Sequence, residues 1–149
     1  MNDFKPFDDK LAGLIAALSP TARRKMAADI AKPLRARQQR RIKTQKAPDG
    51  TAYAPRKPQR IRDKKGRVKR AMFAKLRNAR YLKASGDDKS AVVEFTGKVK
   101  RIARVHQSGL KDKPGRNSAE VQYPARPLLG FSDEDTALVE NIIIEHLAL

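Results

Sequence analysis

Two stretches, Ala103-Arg104-Val105-His106-Gln107-Ser108-Gly109 and Tyr123-Pro124-Ala125-Arg126-Pro127-Leu128-Leu129-Gly130-Phe131-Ser132, decide how this chain is read. Together they suggest a strand, a loop, a second strand and a proline-bracketed turn that feeds an acidic helix. Ser132 stands at the N-cap position of that helix. Asp133, Glu134 and Asp135 fill its first turn, where the helix dipole favours acids. Leu138, Val139, Ile142, Ile143 and Leu147 then fall on one face at helical spacing.

Upstream of these stretches, Ala91, Val93 and Phe95 alternate with Val92, Glu94 and Thr96, the pattern of a half-buried strand. Gly97-Lys98 reads as a hairpin tip, with a return strand from Val99 to His106. Gly109–Asn117 reads as a loop, followed by a short strand over Glu120–Tyr123. Ser85-Gly86-Asp87-Asp88 is a turn, and Met72, Phe73, Leu76 and Leu82 give residues 71–83 helical spacing.

Further back, Ala47-Pro48-Asp49-Gly50-Thr51 carries a turn chemistry: proline presets φ and glycine allows the positive φ that closes it. Residues 47–70 as a whole are expected to form a basic extended arm or hairpin with its tip near Asp63–Gly66. They hold too few apolar side chains to offset their ordering entropy alone. Before them, a helix is predicted from Pro20 to Lys46, with Ser19 as N-cap, proline at the first helical position and a kink at Pro33. Met26, Ile30, Leu34 and Ile42 mark its apolar stripe, interrupted at Gln38. A shorter amphipathic helix over residues 3–18 places Phe4, Phe7, Leu11, Leu14, Ile15 and Leu18 in register. The fold class is therefore α+β: N-terminal helices including a long basic one, a small antiparallel sheet and an amphipathic C-terminal helix. Its 149 residues suit one domain, 1–149.

Charge is distributed unevenly. The net charge is +18, yet residues 1–18 and 84–149 each sum to −1 while residues 19–83 sum to +20. After Arg126 there are five acids and no Lys or Arg. Such a field must meet phosphate, an acidic partner, or the acidic end of a neighbouring copy. With no cysteine in the chain, disulfides, thiolate metal sites and a cysteine nucleophile are excluded. The apolar fraction is 40% and no run approaches a membrane-spanning length, so no membrane role is expected. The first residues lack the apolar core of a signal peptide, so the protein is expected to stay where it is made.

Catalysis finds little support in these residues. Of the two histidines, His146 lies in the last turn of the final helix, where a cation suits the dipole, and His106 reads as a structural or interface residue. Asp87-Asp88 reads as a turn and Asp133–Asp135 as a helix start, in each case ahead of a divalent-ion site. No phosphate loop or histidine–carboxylate metal spacing is present. No catalytic, cofactor-binding or metal-binding residue is expected, and no cofactor. Nucleic acid remains a candidate partner, bound without sequence preference through the basic segment 23–83. Only Tyr53, Phe73 and Tyr81 there are available for base stacking.

Taken in order, Ala47–Thr51 after a basic helix, Ala103–Gly109, and Tyr123–Phe131 before a terminal helix are similar to the closing pattern of a known group. The chain resembles the tail completion proteins (type S) of contractile-tailed temperate phages, within the phage virion-morphogenesis family, nearly end to end. The resemblance implies a non-enzymatic structural protein acting late in virion assembly. It would complete or terminate the tail at its head-proximal end, as part of the head-tail connection or neck, and make it competent to join the filled head. It further implies a compact α+β fold and a homo-oligomeric ring, a hexamer. The implied partners are the chain itself, tail tube and sheath proteins, head-neck connector proteins, and DNA in the lumen. The implied location is the virion tail, with the host cytoplasm during assembly. On this reading His106, Gln107, Gly109, Pro124, Arg126 and Leu129 shape an assembly interface. Arg35, Arg37, Arg40, Arg41, Arg60, Arg62, Lys64, Lys65, Arg67 and Arg70 carry a basic surface for DNA or an acidic partner.

Overall fold

The computed structural model describes residues 5–57 and 71–147. Among them are four helices and two two-stranded sheets, in the order α1 (Lys5–Ala16), α2 (Pro20–Lys43), β1 (Leu82–Gly86), β2 (Ala91–Phe95), α3 (Lys100–Ser108), β3 (Lys111–Asp112), β4 (Val121–Gln122) and α4 (Asp133–His146). The fold is α+β, as the sequence pattern predicts. The arm tip at Asp63–Gly66 and the arginines and lysines Arg60, Arg62, Lys64, Lys65, Arg67 and Arg70 lie outside the described residues.

α2 starts where its cap chemistry places it: Ser19 Oγ accepts the Ala22 amide at 3.1 Å, and Pro20 is the first helical residue. The helix runs on through Pro33 and ends at Lys43 rather than Lys46. Gln45, at φ 61°, takes the left-handed conformation that stops it. α4 begins at Asp133 with its three acids in the first turn, in agreement with the sequence reading.

Three expectations are corrected. Residues 99–106 form no return strand; Lys100–Ser108 is the helix α3. Val99, Arg101, Ala103 and Val105 fit a two-residue period, but Val99, Ala103 and His106 fit a helical one equally well. Gly109 resolves the ambiguity. Its φ of 66° forms a left-handed C-cap, and its amide and that of Leu110 both bond the Val105 carbonyl. Residues 71–83 are not a helix either. They make a series of turns, with Phe73 at φ 66°, before β1 starts at Leu82. Gly109–Asn117 is not loop throughout, since Lys111 and Asp112 pair antiparallel with Gln122 and Val121.

The chain divides into two compact units. The first comprises residues up to Arg35, Ala84–Val93 and the chain from Asp133; the second comprises Ala36–Lys83 and Glu94–Ser132. In the first unit the buried apolar residues are Met26, Ala27, Ile30, Ala31 and Leu34, all on α2. Leu11, Leu14 and Ile15 of α1 and Leu138, Val139, Ile142, Ile143 and Ile144 of α4 are only half-buried. Arg23 ties this unit together, donating to the carbonyls of Asp88, Ala16 and Leu18 at 3.0–3.2 Å. The Asp87 carboxylate closes the β1–β2 turn by accepting the Lys89 and Ser90 amides at 2.7 Å. Those bonds hold its pKa below the ordinary aspartate value. His146 Nε2 lies 2.9 Å from Asp29 Oδ2, which also receives Lys25 at 3.1 Å. In the second unit the buried set includes Ile42, Ala47, Tyr53, Leu82, Phe95, Ala103, Val105 and Leu128, together with the polar Gln38 and Arg126.

Candidate functional site

All three motif stretches meet in the second unit, and most of the bonds that join them run from side chains to backbone. The turn Ala47–Thr51 closes with Gly50 at φ 88° donating to the Ala47 carbonyl, while Ala47 donates to Thr51. The Asp49 carboxylate accepts the Thr51 amide at 2.9 Å, and this bond lowers its pKa. Lys46 and Ala52 form an antiparallel bridge across the turn, and Tyr53 donates its amide to the Gln45 carbonyl. The Gln45 side chain reaches Met72, taking its amide and donating to its carbonyl, both at 2.9 Å. One glutamine thus fixes the chain on either side of residues 58–70.

Gln107 does the same for the proline-bracketed turn. Its Oε1 accepts the amides of Leu128 and Leu129 at 2.8 and 2.9 Å, and its Nε2 donates to the Leu129 carbonyl at 2.9 Å. Strand-like pairing is imitated by an amide side chain, so the turn needs no neighbouring strand. Arg126, only 6% exposed, donates from Nε to the Ala54 carbonyl and from Nη2 to the Pro55 carbonyl. Its amide bonds the His106 carbonyl at 2.7 Å. Tyr53 Oη donates to the Pro127 carbonyl at 2.8 Å, and burial pushes its phenol pKa up to about 12. At the end of the turn, Gly130 receives Arg41 at its carbonyl, and its amide lies 3.3 Å from Gln38 Oε1. A β-carbon on Gly130 would stand 2.6 Å from Pro48, and one on Gly109 would stand 2.7 Å from the Ala125 nitrogen. Both glycines are required by close approach.

A row of rings runs through this junction. Tyr53 meets Phe73 edge-on with centroids 5.6 Å apart, Phe73 meets His106 at 4.9 Å, and His106 meets Tyr123 at 5.0 Å. Burial, and then the Arg126 charge, push the His106 pKa below its ordinary value, so the ring is neutral at pH 7. Its Nδ1 is buried without a hydrogen-bond partner among the described residues. His106, Phe73, Tyr123, Pro124, Arg126 and Arg56 are among the residues lining a pocket of about 450 Å³. The rings of Phe73, His106 and Tyr123 line it with Met72 and Val121, and its cations are Arg56, Lys57 and Arg126.

Of the six predicted interface residues, Gln107, Gly109 and Arg126 hold the backbone in shape. His106 and Pro124 line the pocket, and Leu129 is half-buried in the turn. The helix arginines separate as well. Arg40 is exposed, Arg35 and Arg37 are half-buried, and Arg41 is committed to Gly130 and Gln38. Sequence reasoning missed Gln38, Gln45 and Arg77. Gln38 was visible only as a polar gap in the apolar stripe of α2, which is the signal for a buried amide with partners. Among the described residues no group of three or more His, Asp or Glu gathers as a metal-ligand set, and no helix is long and apolar enough to cross a membrane.

The model of the phage virion morphogenesis family matches residues 2–148. The chain is also similar to the tail completion protein S of Escherichia phage P2, with 53% identity over 148 residues covering 99% of each chain. No solved structure matches it significantly.

Proposed function

The chain belongs to the phage virion morphogenesis family, and on that premise we propose that it completes the head-proximal end of a phage tail as a non-enzymatic structural protein. It prepares that end for joining to the filled head and works as a homo-oligomeric ring, with residues 1–149 acting as one tail-completion domain. The observation that carries this reading is the end-to-end likeness to a protein named for tail completion. The convergence of the three motif stretches into one junction supports it, because a fixed shape is what an assembly protein must present.

A closed ring needs two different faces on each subunit, one complementing the other on its neighbour. The second unit offers an apolar pocket bordered by Arg56 and Lys57. The first offers α4, whose half-buried apolar residues are accompanied by Asp133, Glu134, Glu140 and Glu145. Packing α4 of one copy on the pocket side of the next matches apolar to apolar and acid to base. His106, Gln107, Gly109, Pro124, Arg126 and Leu129 then shape the receiving surface, and tail tube, sheath and neck connector proteins bound the ring on its two sides.

The test is reconstitution. Tails assembled without this chain should fail to join filled heads, and adding the purified protein should restore infectious particles. Equal joining with and without it would refute the assignment. A second reading, contact with nucleic acid, is favoured by the net charge of +20 over residues 19–83. In a ring around passing DNA the two readings coexist.

A further inference from the structure

A second concavity in the second unit, of about 430 Å³, lies away from the aromatic pocket. Gln39, Arg40 and Lys43 on α2 and Arg77 and Asn78 in the following turns line it. Three of those side chains are cations and none is a carboxylate. Arg40 and Lys43 are exposed and three residues apart, so they share one helix face about 5–6 Å apart at the β-carbons. Gln39 donates to the Arg77 carbonyl at 2.9 Å and so holds the turn against the helix. Arg77 is half-buried, and its Nε is fully buried without a partner among the described residues.

The position of Arg40 and Lys43 in the last turns of α2 has a purely structural explanation, since cations suit a helix C-terminus. That explanation does not reach Arg77, which lies on no helix and leaves a guanidinium nitrogen buried and unsatisfied. Arg77 lines the cleft together with Arg40 and Lys43, and an anion seated among these three cations would be held by charge-assisted hydrogen bonds.

We propose that this cleft seats a phosphate of a nucleic-acid backbone. The proposal rests on the nucleic-acid reading given above and not on the ring. Planar guanidinium groups with a flanking ammonium match phosphate oxygens, and they read charge without reading sequence.

Salt dependence tests it on the full chain. Binding of a mixed-sequence DNA duplex is followed by fluorescence anisotropy between about 50 and 200 mM salt, where each phosphate contact contributes about −0.9 to the log–log slope. Arg40→Gln with Lys43→Gln should flatten the slope by about 0.9, the share of the one phosphate the cleft seats. The control pair, Arg24→Gln with Lys32→Gln on exposed positions of the same helix, should leave it unchanged. All four side chains are exposed, so both variants should melt like the parent. Tripolyphosphate should displace the duplex at lower concentration than polyglutamate of equal charge. Three results would each overturn the proposal: no duplex binding by the parent, equal flattening by both pairs, or displacement by polyglutamate as readily as by tripolyphosphate. The last would assign the cleft to protein carboxylates. The outcome is separable from the ring, because oligomer mass does not enter the slope.

Discussion

Side chains bond distant backbone groups in both units, Arg23 in the first and several amides with Arg126 in the second, but the two differ in how far their apolar residues are buried. In the second, Gln38, Gln45, Gln107 and Arg126 each bond backbone groups of a segment distant in sequence, and Ile42, Leu82 and Leu128 are completely buried among them. In the first, every buried apolar residue among the described ones lies on α2, while the larger apolar residues described on α1 and α4 are only half-buried. Directional bonds specify one shape, whereas half-exposed helix faces are adhesive and wait for a cover. In the proposed ring, the second unit is the formed receptor and the first brings the surface that a neighbour covers.

The sharpest way to break this contrast is through the core of the second unit. Leu128→Ala should cost about 2–5 kcal/mol, read as a lowered urea midpoint, because a fully buried side chain leaves a cavity. Gln107→Leu comes next. It strands two amides and a carbonyl of the turn, and about 1–3 kcal/mol per group left unsatisfied is the relevant scale. A loss no larger than that of an exposed substitution would show that the turn does not depend on Gln107. In the first unit, Ile142→Ser should change the unfolding free energy read from urea melts by less than about 1 kcal/mol, as expected for a half-exposed site. The same variant should abolish self-association, and unaltered association would place the interface elsewhere.

The smallest effect is a pH dependence. The folded pKa of His106 lies below the unfolded value of 6.5, so the unfolded chain binds more protons below that pH. The stability this residue contributes is complete above 6.5 and is lost as pH falls toward the folded pKa. Asp29, Asp49, Asp87 and Asp112 also have lowered values, but they act in a separate window, as pH falls below about 3.8. Thermal melts at several pH values should therefore show a shallow decline below 6.5 that His106→Gln removes. A decline that persists unchanged in the variant would remove His106 as its source.

Much of the fold was legible because its signals are local. Ser19-Pro20 marked the start of α2, Pro48-Asp49-Gly50 its following turn, and Asp133–Asp135 the start of α4. α3 was not, because residues 99–106 satisfy both periods and only the left-handed Gly109 decides between them. Residues 71–83 misled for a related reason: apolar spacing alone cannot reveal that Phe73 sits at positive φ. Site residues divided the same way. His106, Gln107 and Arg126 stood out within a motif, but their partners Tyr123, Leu128 and Ala54 are set by tertiary bonds with no sequence period. Arg77 had no signal at all beyond membership of a basic segment.

The central claim is that copies of this chain cover one another's half-exposed helix faces in a closed ring, and the solution mass of nuclease-treated protein tests it most directly. Light scattering at low and high salt should give a species near six times 16.7 kDa at both, since an interface with an apolar centre survives the screening of its charges. A monomer at both salts would contradict it.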